Sequence, residues 1–222
     1  MKVIAPCIYL LIVSTVLLNA CTTQHMIEEE DYSGYLDHYD RMESLDFMKG
    51  SRWLSDDISS YEHILLDDIK VFPMMTLDQE QHRSTANQVA NYLNEGLREA
   101  TEKHGILATT PGPGTLRISP AITGIVSETQ DLRPRQIVLP VAIARTLIQT
   151  ATDRRPQVVK VFLEVKLIDS QTGELKGEIL RKGIDSQSDK EEVTMEDIKA
   201  LLDDWLEIYD EQISKIAATK TG

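Results

Sequence analysis

The sequence predicts an α+β fold: an antiparallel or mixed sheet of about four to five strands with two main helices packed on one face. Three observations predict this class. Apolar residues recur at helical spacing in residues 76–103 and again from residue 194 onwards. Apolar and polar residues alternate strictly in residues 158–168, as they do in a strand. The elements follow the order strand, helix, strand, an ambiguous segment at 132–156, two strands and a last helix, which favours helices on one side of the sheet.

The first twenty residues are predicted to be a signal peptide. Lys2 precedes an apolar run from Val3 to Leu18, and the small residue Ala20 comes directly before Cys21. The run is shorter than the roughly twenty residues that a helix needs to cross the hydrocarbon core of a membrane. This pattern is typical of secretion, and residues 1–20 are therefore expected to be removed.

The cleavage region also predicts a lipid anchor. The stretch Leu18-Asn19-Ala20-Cys21 resembles the lipobox of bacterial lipoproteins, which implies a diacylglycerol and an N-acyl chain on Cys21. Several acyl chains hold a domain in the lipid bilayer almost permanently, because each buried methylene contributes about 0.8 kcal/mol. Thr22 is not the aspartate that resembles an inner-membrane retention signal, so the outer membrane, on its periplasmic face, is expected. The alternative is an ordinary secretory signal with a chance cysteine.

The mature chain is predicted to consist of a tether and one domain. Residues 21–32 are polar and acidic, which predicts a lipidated flexible tether. A single globular α+β domain is expected from residue 33 to residue 219. Residues 33–49 show weak helical spacing. A strand at 62–72 changes the face of its apolar residues across Asp67-Asp68, which suggests a β-bulge.

The next elements follow from similar patterns. A helix at 76–103 is amphipathic, and Gly105 is placed to end it. A strand at 116–126 contains Pro120, which belongs at an edge or a bulge because proline cannot donate a ladder hydrogen bond. The strand at 158–168 is expected to bury one face. Its other face is expected to be solvated and carries Lys160, Glu164 and Lys166.

A hairpin and a helix complete the domain. The loop 169–174 places Gly173 at a position that favours the left-handed conformation, and a partner strand follows at 175–183. The last helix begins near Thr194 and carries an apolar stripe that includes Trp205.

Four segments resemble the conserved blocks of a known family. They begin at Ser33, Tyr61, Pro111 and Val161 and read SGYLDHYDRMESL, YEHILLDDIKVFP, PGPGTLRISPAIT and VFLEVKLIDSQTGELKGEILRKG. The family that they resemble is an uncharacterised bacterial lipoprotein family, domain of unknown function 3313, and the apolar stretch 137–148 departs from its pattern. The resemblance implies an envelope lipoprotein and supplies no catalytic residues.

Charge distribution yields a candidate binding segment. The chain has 23 Lys and Arg against 36 Asp and Glu, so its net charge is −13, which argues against binding to nucleic acid. Basic residues nevertheless gather in residues 132–155. This island contains five arginines, which are Arg133, Arg135, Arg145, Arg154 and Arg155. They either pair with the acidic helices or form an exposed face for an envelope protein or an anionic envelope component.

No familiar catalytic motif occurs, and neither a cofactor nor a metal site is predicted. The leading interpretation is therefore a non-enzymatic binding or assembly module, anchored through acylated Cys21 on the periplasmic side of the outer membrane. Two alternatives stay open. One is a hydrolase that uses His82 with nearby carboxylates, and the other is a small-ligand carrier whose pocket is roofed by residues 137–148.

Overall fold

A computed structural model describes residue 27 and residues 29–45, 50–72, 80–129, 157–188 and 194–219. The strands are β1 (Glu43–Leu45), β2 (Gly50–Leu54), β3 (His63–Leu66), β4 (Lys70–Val71), β5 (Thr115–Thr129), β6 (Gln157–Asp169) and β7 (Leu175–Ser188). The helices are α1 (Glu80–Lys103) and α2 (Met195–Thr219).

The described strands form one seven-stranded sheet in the order β1-β2-β7-β6-β5-β3, and β4 also pairs with β5. β3 and β4 run parallel to β5, whereas all other neighbours are antiparallel, so the sheet is mixed. The predicted α+β class is confirmed. The strand number is higher than expected because β1, β2 and β4 are too short to show an alternating pattern. The weak helical spacing in residues 33–49 was misleading, since the described part of this stretch contains a 3-10 turn at Tyr39–Arg41 and the strand β1.

The bulge predicted at Asp67-Asp68 separates β3 from β4. Leu66 is opposite Ile118 of β5, and the next partners are Lys70 and Ala121. From one pair to the next the chain advances four residues in the edge segment, from Leu66 to Lys70, and three residues in β5. The edge segment therefore contains one extra residue, which defines a β-bulge.

Pro120 lies opposite this bulge. The carbonyls of Ile118 and Ile122 accept hydrogen bonds from the backbone N–H groups of Asp67 and Phe72, so these β5 residues direct their backbone toward the edge. Pro120 is the position between them and, by strand alternation, faces the same side. Its missing N–H falls where the ladder is already interrupted, which explains how β5 tolerates a proline.

The predicted hairpin is confirmed and is longer than expected. β6 and β7 pair antiparallel from Gln157 opposite Ser188 to Ile168 opposite Leu175. Gly173 has a φ of +75° in the connecting turn, a conformation that glycine adopts without a Cβ clash. The long β5-β6-β7 ladder forms the rigid centre on which the other elements pack.

Both helices lie against one face of the sheet, called here the inner face, as the apolar patterns predicted. They run parallel to each other, because contacts occur in the same order along both: the Tyr92 hydroxyl donates to Asp203, and farther along both helices the Thr101 hydroxyl lies 2.7 Å from the Tyr209 hydroxyl. Fully buried apolar residues join helices and sheet in one core, including Val89, Leu93, Ile122, Val161, Ile198 and Leu202.

Two glycines set how closely α2 approaches its neighbours. A β-carbon on Gly96 of α1 would lie 2.4 Å from Leu206 Cδ1, and one on Gly183 of β7 would lie 2.5 Å from Leu201 Cδ1. Both distances are far shorter than a carbon–carbon van der Waals contact. The absence of a side chain at these positions therefore brings α2 into direct contact with α1 and with the sheet.

Candidate functional site

The face of the sheet opposite the helices, called here the outer face, carries two buried carboxylates. The register places Glu164 of β6 opposite Leu180 of β7, and Lys166 opposite Glu178, on this face. The side chains of Glu164 and Glu178 are 0% exposed. The expectation that the outer face is solvated was therefore wrong for Glu164, because another part of the chain covers it.

The cover is an irregular segment of residues 31–41, called here the strap, which crosses the outer face before the chain enters β1. Glu178 accepts hydrogen bonds from two consecutive backbone N–H groups of the strap: Asp37 N donates to Oε1 at 2.6 Å, and His38 N donates to Oε2 at 3.0 Å. Hydrogen bonds to a charged acceptor are stronger than neutral ones, so this pair fixes the middle of the strap.

Glu164 fixes the strap at two further points. Its Oε1 accepts the backbone N–H of Ser33 at 3.3 Å, and its Oε2 accepts the hydroxyl of Tyr39 at 2.6 Å. The two glutamates together therefore receive four donors from the strap. Buried charges are costly unless they are hydrogen-bonded or paired, and these donors supply that compensation.

Two lysines of the sheet bind acidic side chains of the strap. Lys182 Nζ donates to Asp31 Oδ2 at 2.7 Å, and both side chains are largely buried. Lys166 Nζ donates to Asp37 Oδ2 at 2.6 Å, where the aspartate is more exposed. The outer face thus offers acceptors to the strap's backbone and cations to its acids, which makes the two surfaces electrostatically complementary.

The hydroxyl of Tyr39 organises the strap internally. It accepts the backbone N–H groups of Gly34 at 2.9 Å and Leu36 at 3.2 Å while it donates to Glu164. The ring stacks on Tyr32 with 4.2 Å between centroids. Burial, and then the hydrogen bond to the Glu164 carboxylate, raise the pKa of Tyr39 to about 12, so its proton stays in place at any physiological pH.

Aromatic contacts hold the strap at two further points. Tyr35 donates its hydroxyl proton to the carbonyl of Ser119 at 3.1 Å and packs edge-on against Phe72. At the C-terminal end of the strap the guanidinium of Arg41 lies 5.3 Å from the ring centroid of Trp53 on β2, a cation–π contact.

This arrangement is suited to holding a chain segment. Each oxygen of Glu164 and Glu178 already accepts a donor from the strap, so neither carboxylate is presented to a substrate. Within the described ranges no three histidine, cysteine or acidic side chains are grouped so that they could hold a metal ion. The chemistry of the outer face is therefore recognition of backbone N–H groups and acidic side chains.

Most residues singled out from the sequence lie outside this site. Cys21 and the island of five arginines at 133, 135, 145, 154 and 155 lie outside the described residues, as does the stretch 137–148. His82 belongs to α1, on the opposite side of the sheet from the strap, and its side chain is outside the described part. Thr129 and Gln157 are register partners, so the chain leaves and re-enters the sheet at neighbouring positions around the arginine island.

Sequence reasoning missed the role of the glutamates and the strap. Glu164 alternates with apolar residues and shares its strand face with Lys160 and Lys166, which is the usual pattern of a solvated face. The signal that could have found the cover is apolar residues on that same face. Phe162 and Leu180 lie there, and both are buried.

Alkaline pH is expected to destabilise the domain through three tyrosines. Burial is the main reason that the pKa values of Tyr39, Tyr61 and Tyr209 rise to about 12, from an ordinary value near 10. The unfolded chain loses these protons first, so the stabilisation is complete below about pH 10 and is lost as the pH approaches about 12. Urea midpoints measured from neutral pH to about pH 11 should fall as the phenolate absorbance rises. The midpoint should fall less steeply in a Tyr39→Phe variant. A midpoint that stays constant over this range would contradict the prediction.

Comparison with known proteins defines the class first. The "Uncharacterized lipoprotein YdcL" of Escherichia coli K12 is 28% identical over 194 residues, which cover 84% of this chain and 86% of the relative. The protein of the same name from Escherichia coli O157:H7 matches equally. This similarity supports a membrane-anchored envelope lipoprotein of unknown function.

The family follows from a second match. The model of the family described as "Protein of unknown function (DUF3313)" matches residues 31–208, and the chain belongs to this family. The match begins at the first residue of the strap and includes both buried glutamates. The family expected from the four sequence blocks is therefore confirmed.

Solved structures add little. Two PelC dodecamers from Paraburkholderia phytofirmans, one of them a point variant, match with a TM-score of 0.30 and identities of 11% and 10%. The matches cover 75% and 74% of this chain and 92% and 90% of the PelC chains. Neither of the described helices combines the length and apolar character needed to cross a membrane.

Proposed function

We propose that this protein is a lipid-anchored, non-enzymatic binding or assembly module on the periplasmic face of the outer membrane. The lipid is attached to Cys21, and the domain presents a rigid sheet to another envelope component. The observation that carries the proposal is the docking of the strap. Asp31 lies ten positions after the anchored Cys21 and binds Lys182 of the sheet. The docked strap therefore connects the membrane anchor directly to a rigid sheet.

The use of the charged groups also supports a binding role. The buried carboxylates of the outer face serve as acceptors for main-chain N–H groups, which is a structural use. Catalysis would require an acid, base or nucleophile presented to a substrate in a plausible geometry. The sheet therefore serves as a scaffold, and the arginine island is the candidate contact with a partner.

Lipidation is tested by substitution of the acylated residue. In the Cys21→Ala variant, palmitate labelling should disappear and the protein should move from the membrane fraction to the soluble periplasmic fraction. A Thr22→Ala variant is the matched control and should keep both properties. Labelling that persists in Cys21→Ala would overturn the lipid anchor. Membrane separation of a Thr22→Asp variant tests the outer-membrane assignment, because its retention in the inner membrane is expected in an enteric host.

The binding role is tested by charge reversal of the arginine island. In vivo crosslinking of the acylated protein should capture envelope partners. The capture should be lost when all five arginines of the island are replaced, by Arg133→Glu, Arg135→Glu, Arg145→Glu, Arg154→Glu and Arg155→Glu. Lys199→Glu, at an exposed position of α2, is the control for added negative charge and should keep the captured partners. Recovery of the same partners by the arginine variant would exclude the island as the binding site.

A further inference from the structure

We propose that the strap is a releasable clamp that sets the distance between the domain and the membrane. When the strap is docked, the tether is short. When the strap leaves the outer face, its residues join the tether and the folded sheet moves outwards. The proposal rests on the lipid anchor at Cys21 that is part of the proposed function.

The first support is the internal organisation of the strap. Tyr39 accepts the N–H groups of Gly34 and Leu36, and its ring stacks on Tyr32, all within the same segment. The N–H of Tyr35 is bound by the side chain of Ser33 at 3.0 Å. A segment that binds part of its own backbone in this way can leave the sheet as one unit, as local unfolding units do.

The second support is the polar nature of the contact. Leu36 is the only apolar side chain of residues 31–41 that is fully buried. The remaining attachment consists mainly of hydrogen bonds and ion pairs to Glu164, Glu178, Lys166 and Lys182. Water can replace these polar partners when the strap leaves. Exposure of Leu36 and of the buried Phe162 and Leu180 on the outer face opposes release and makes the docked state the more stable one.

The third support is the arithmetic of the tether. Ten positions separate Cys21 from Asp31, whose carboxylate binds Lys182 of the sheet, and these span at most about 35 Å. After release the first fixed residue is Glu43 at the start of β1, which is 22 positions from Cys21. The maximal reach then becomes about 75 Å. Release of one polar clamp therefore approximately doubles the distance that the domain can explore.

Hydrogen exchange of the acylated full-length protein in detergent tests whether the strap opens on its own. In the wild type, amides of the strap should exchange faster than those of β6 and β7. Glu178→Gln replaces one acceptor oxygen by a donor that faces a backbone N–H, and should accelerate strap exchange by about ten- to a hundred-fold, with the strap amides still exchanging faster than those of β6 and β7. Tyr39→Phe is a milder second variant. Glu174→Gln, at an exposed carboxylate that pairs with Lys176 at 3.0 Å, is the matched control.

The reach is tested in vesicles that contain a lipid-bound energy acceptor. A dye on Gln171→Cys, in the exposed β6-β7 turn, is the donor. Energy transfer should fall in Glu178→Gln and stay at the wild-type level in Glu174→Gln. Strap amides that exchange together with the sheet in every variant, or energy transfer that does not change, would overturn the proposal. The exchange measurement on Cys21→Ala protein needs no membrane, so a failure of lipidation is distinguished from a failure of release.

Discussion

Replacement of Glu178 by alanine is expected to lower the free energy of unfolding by about 3 kcal/mol. The substitution leaves the backbone N–H groups of Asp37 and His38 without their acceptor in a buried site. It also removes the carboxylate 3.5 Å from His38 Nδ1. Hydrogen bonds to charged groups contribute about 1.5–3 kcal/mol each, so the loss of two sums to about 3–6 kcal/mol, and the expected value is the lower end of this range. The loss of unfolding free energy cannot exceed the docking free energy of the strap, because the N–H groups of a released strap form hydrogen bonds with water.

Chemical denaturation checks this value. Glu174→Ala is the control, because Glu174 directly precedes β7 and its side chain is 65% exposed. This variant should change the free energy of unfolding by less than about 0.5 kcal/mol. A double variant that combines Glu164→Ala with Glu178→Ala should cost less than the sum of the single variants, since both act on the same strap. Equal stability of Glu178→Ala and Glu174→Ala would show that the buried carboxylate does not hold the strap.

The inner face could be predicted from sequence because its signals are periodic. The alternation in β6 and the apolar stripe of α2 each extend over many residues, and burial of one face is their simplest physical consequence. Pro120 and Gly173 add local constraints that hold in any surrounding, since each follows from the backbone chemistry of that residue type.

The outer face could not be predicted in the same way. The burial of Glu164 depends on residues 125 and 131 positions earlier in the chain, Tyr39 and Ser33, and no local pattern encodes so distant a contact. Before its 3-10 turn at Tyr39–Arg41 the strap has no regular period, because side-chain acceptors bind several of its backbone N–H groups in place of a helix or a ladder. Tyr35 and Tyr39 belong to the weak helical spacing of residues 33–49, but their rings and hydroxyls serve stacking and hydrogen bonding.

The strap also changes how the N-terminal region is interpreted. Residues 21–32 were predicted to be a flexible tether, a boundary that stays a prediction, yet Asp31 already forms a buried ion pair with Lys182. Asp31 therefore contacts the sheet, although it belongs to a polar and acidic stretch of the sequence.

Trp205→Ala should be the most damaging single substitution in the inner core, with a loss of about 3–5 kcal/mol. Trp205 of α2 is 6% exposed and packs in the core between helix and sheet. The guanidinium of Arg181 on β7 lies 5.3 Å from its ring centroid. Burial lowers the pKa of Arg181 to about 10, a sign that its charge is poorly hydrated and depends on such contacts. Alanine would remove both the packing volume and the π face that stabilises the cation.

The contribution of the cation can be separated by a double-mutant cycle. Arg181→Met fills a similar volume without a charge, so it removes the cation beside Trp205 and keeps the apolar packing of the side chain. Trp205→Ala should therefore cost less in the Arg181→Met background than in the wild type, and the difference measures the cation–π contact. Glu207→Ala, at an exposed position of the same helix, is the matched control and should have little effect on urea midpoints. Identical costs of Trp205→Ala in the two backgrounds would mean that Trp205 acts by packing alone, and that Arg181 is stabilised by other groups such as the nearby carboxylate of Asp204.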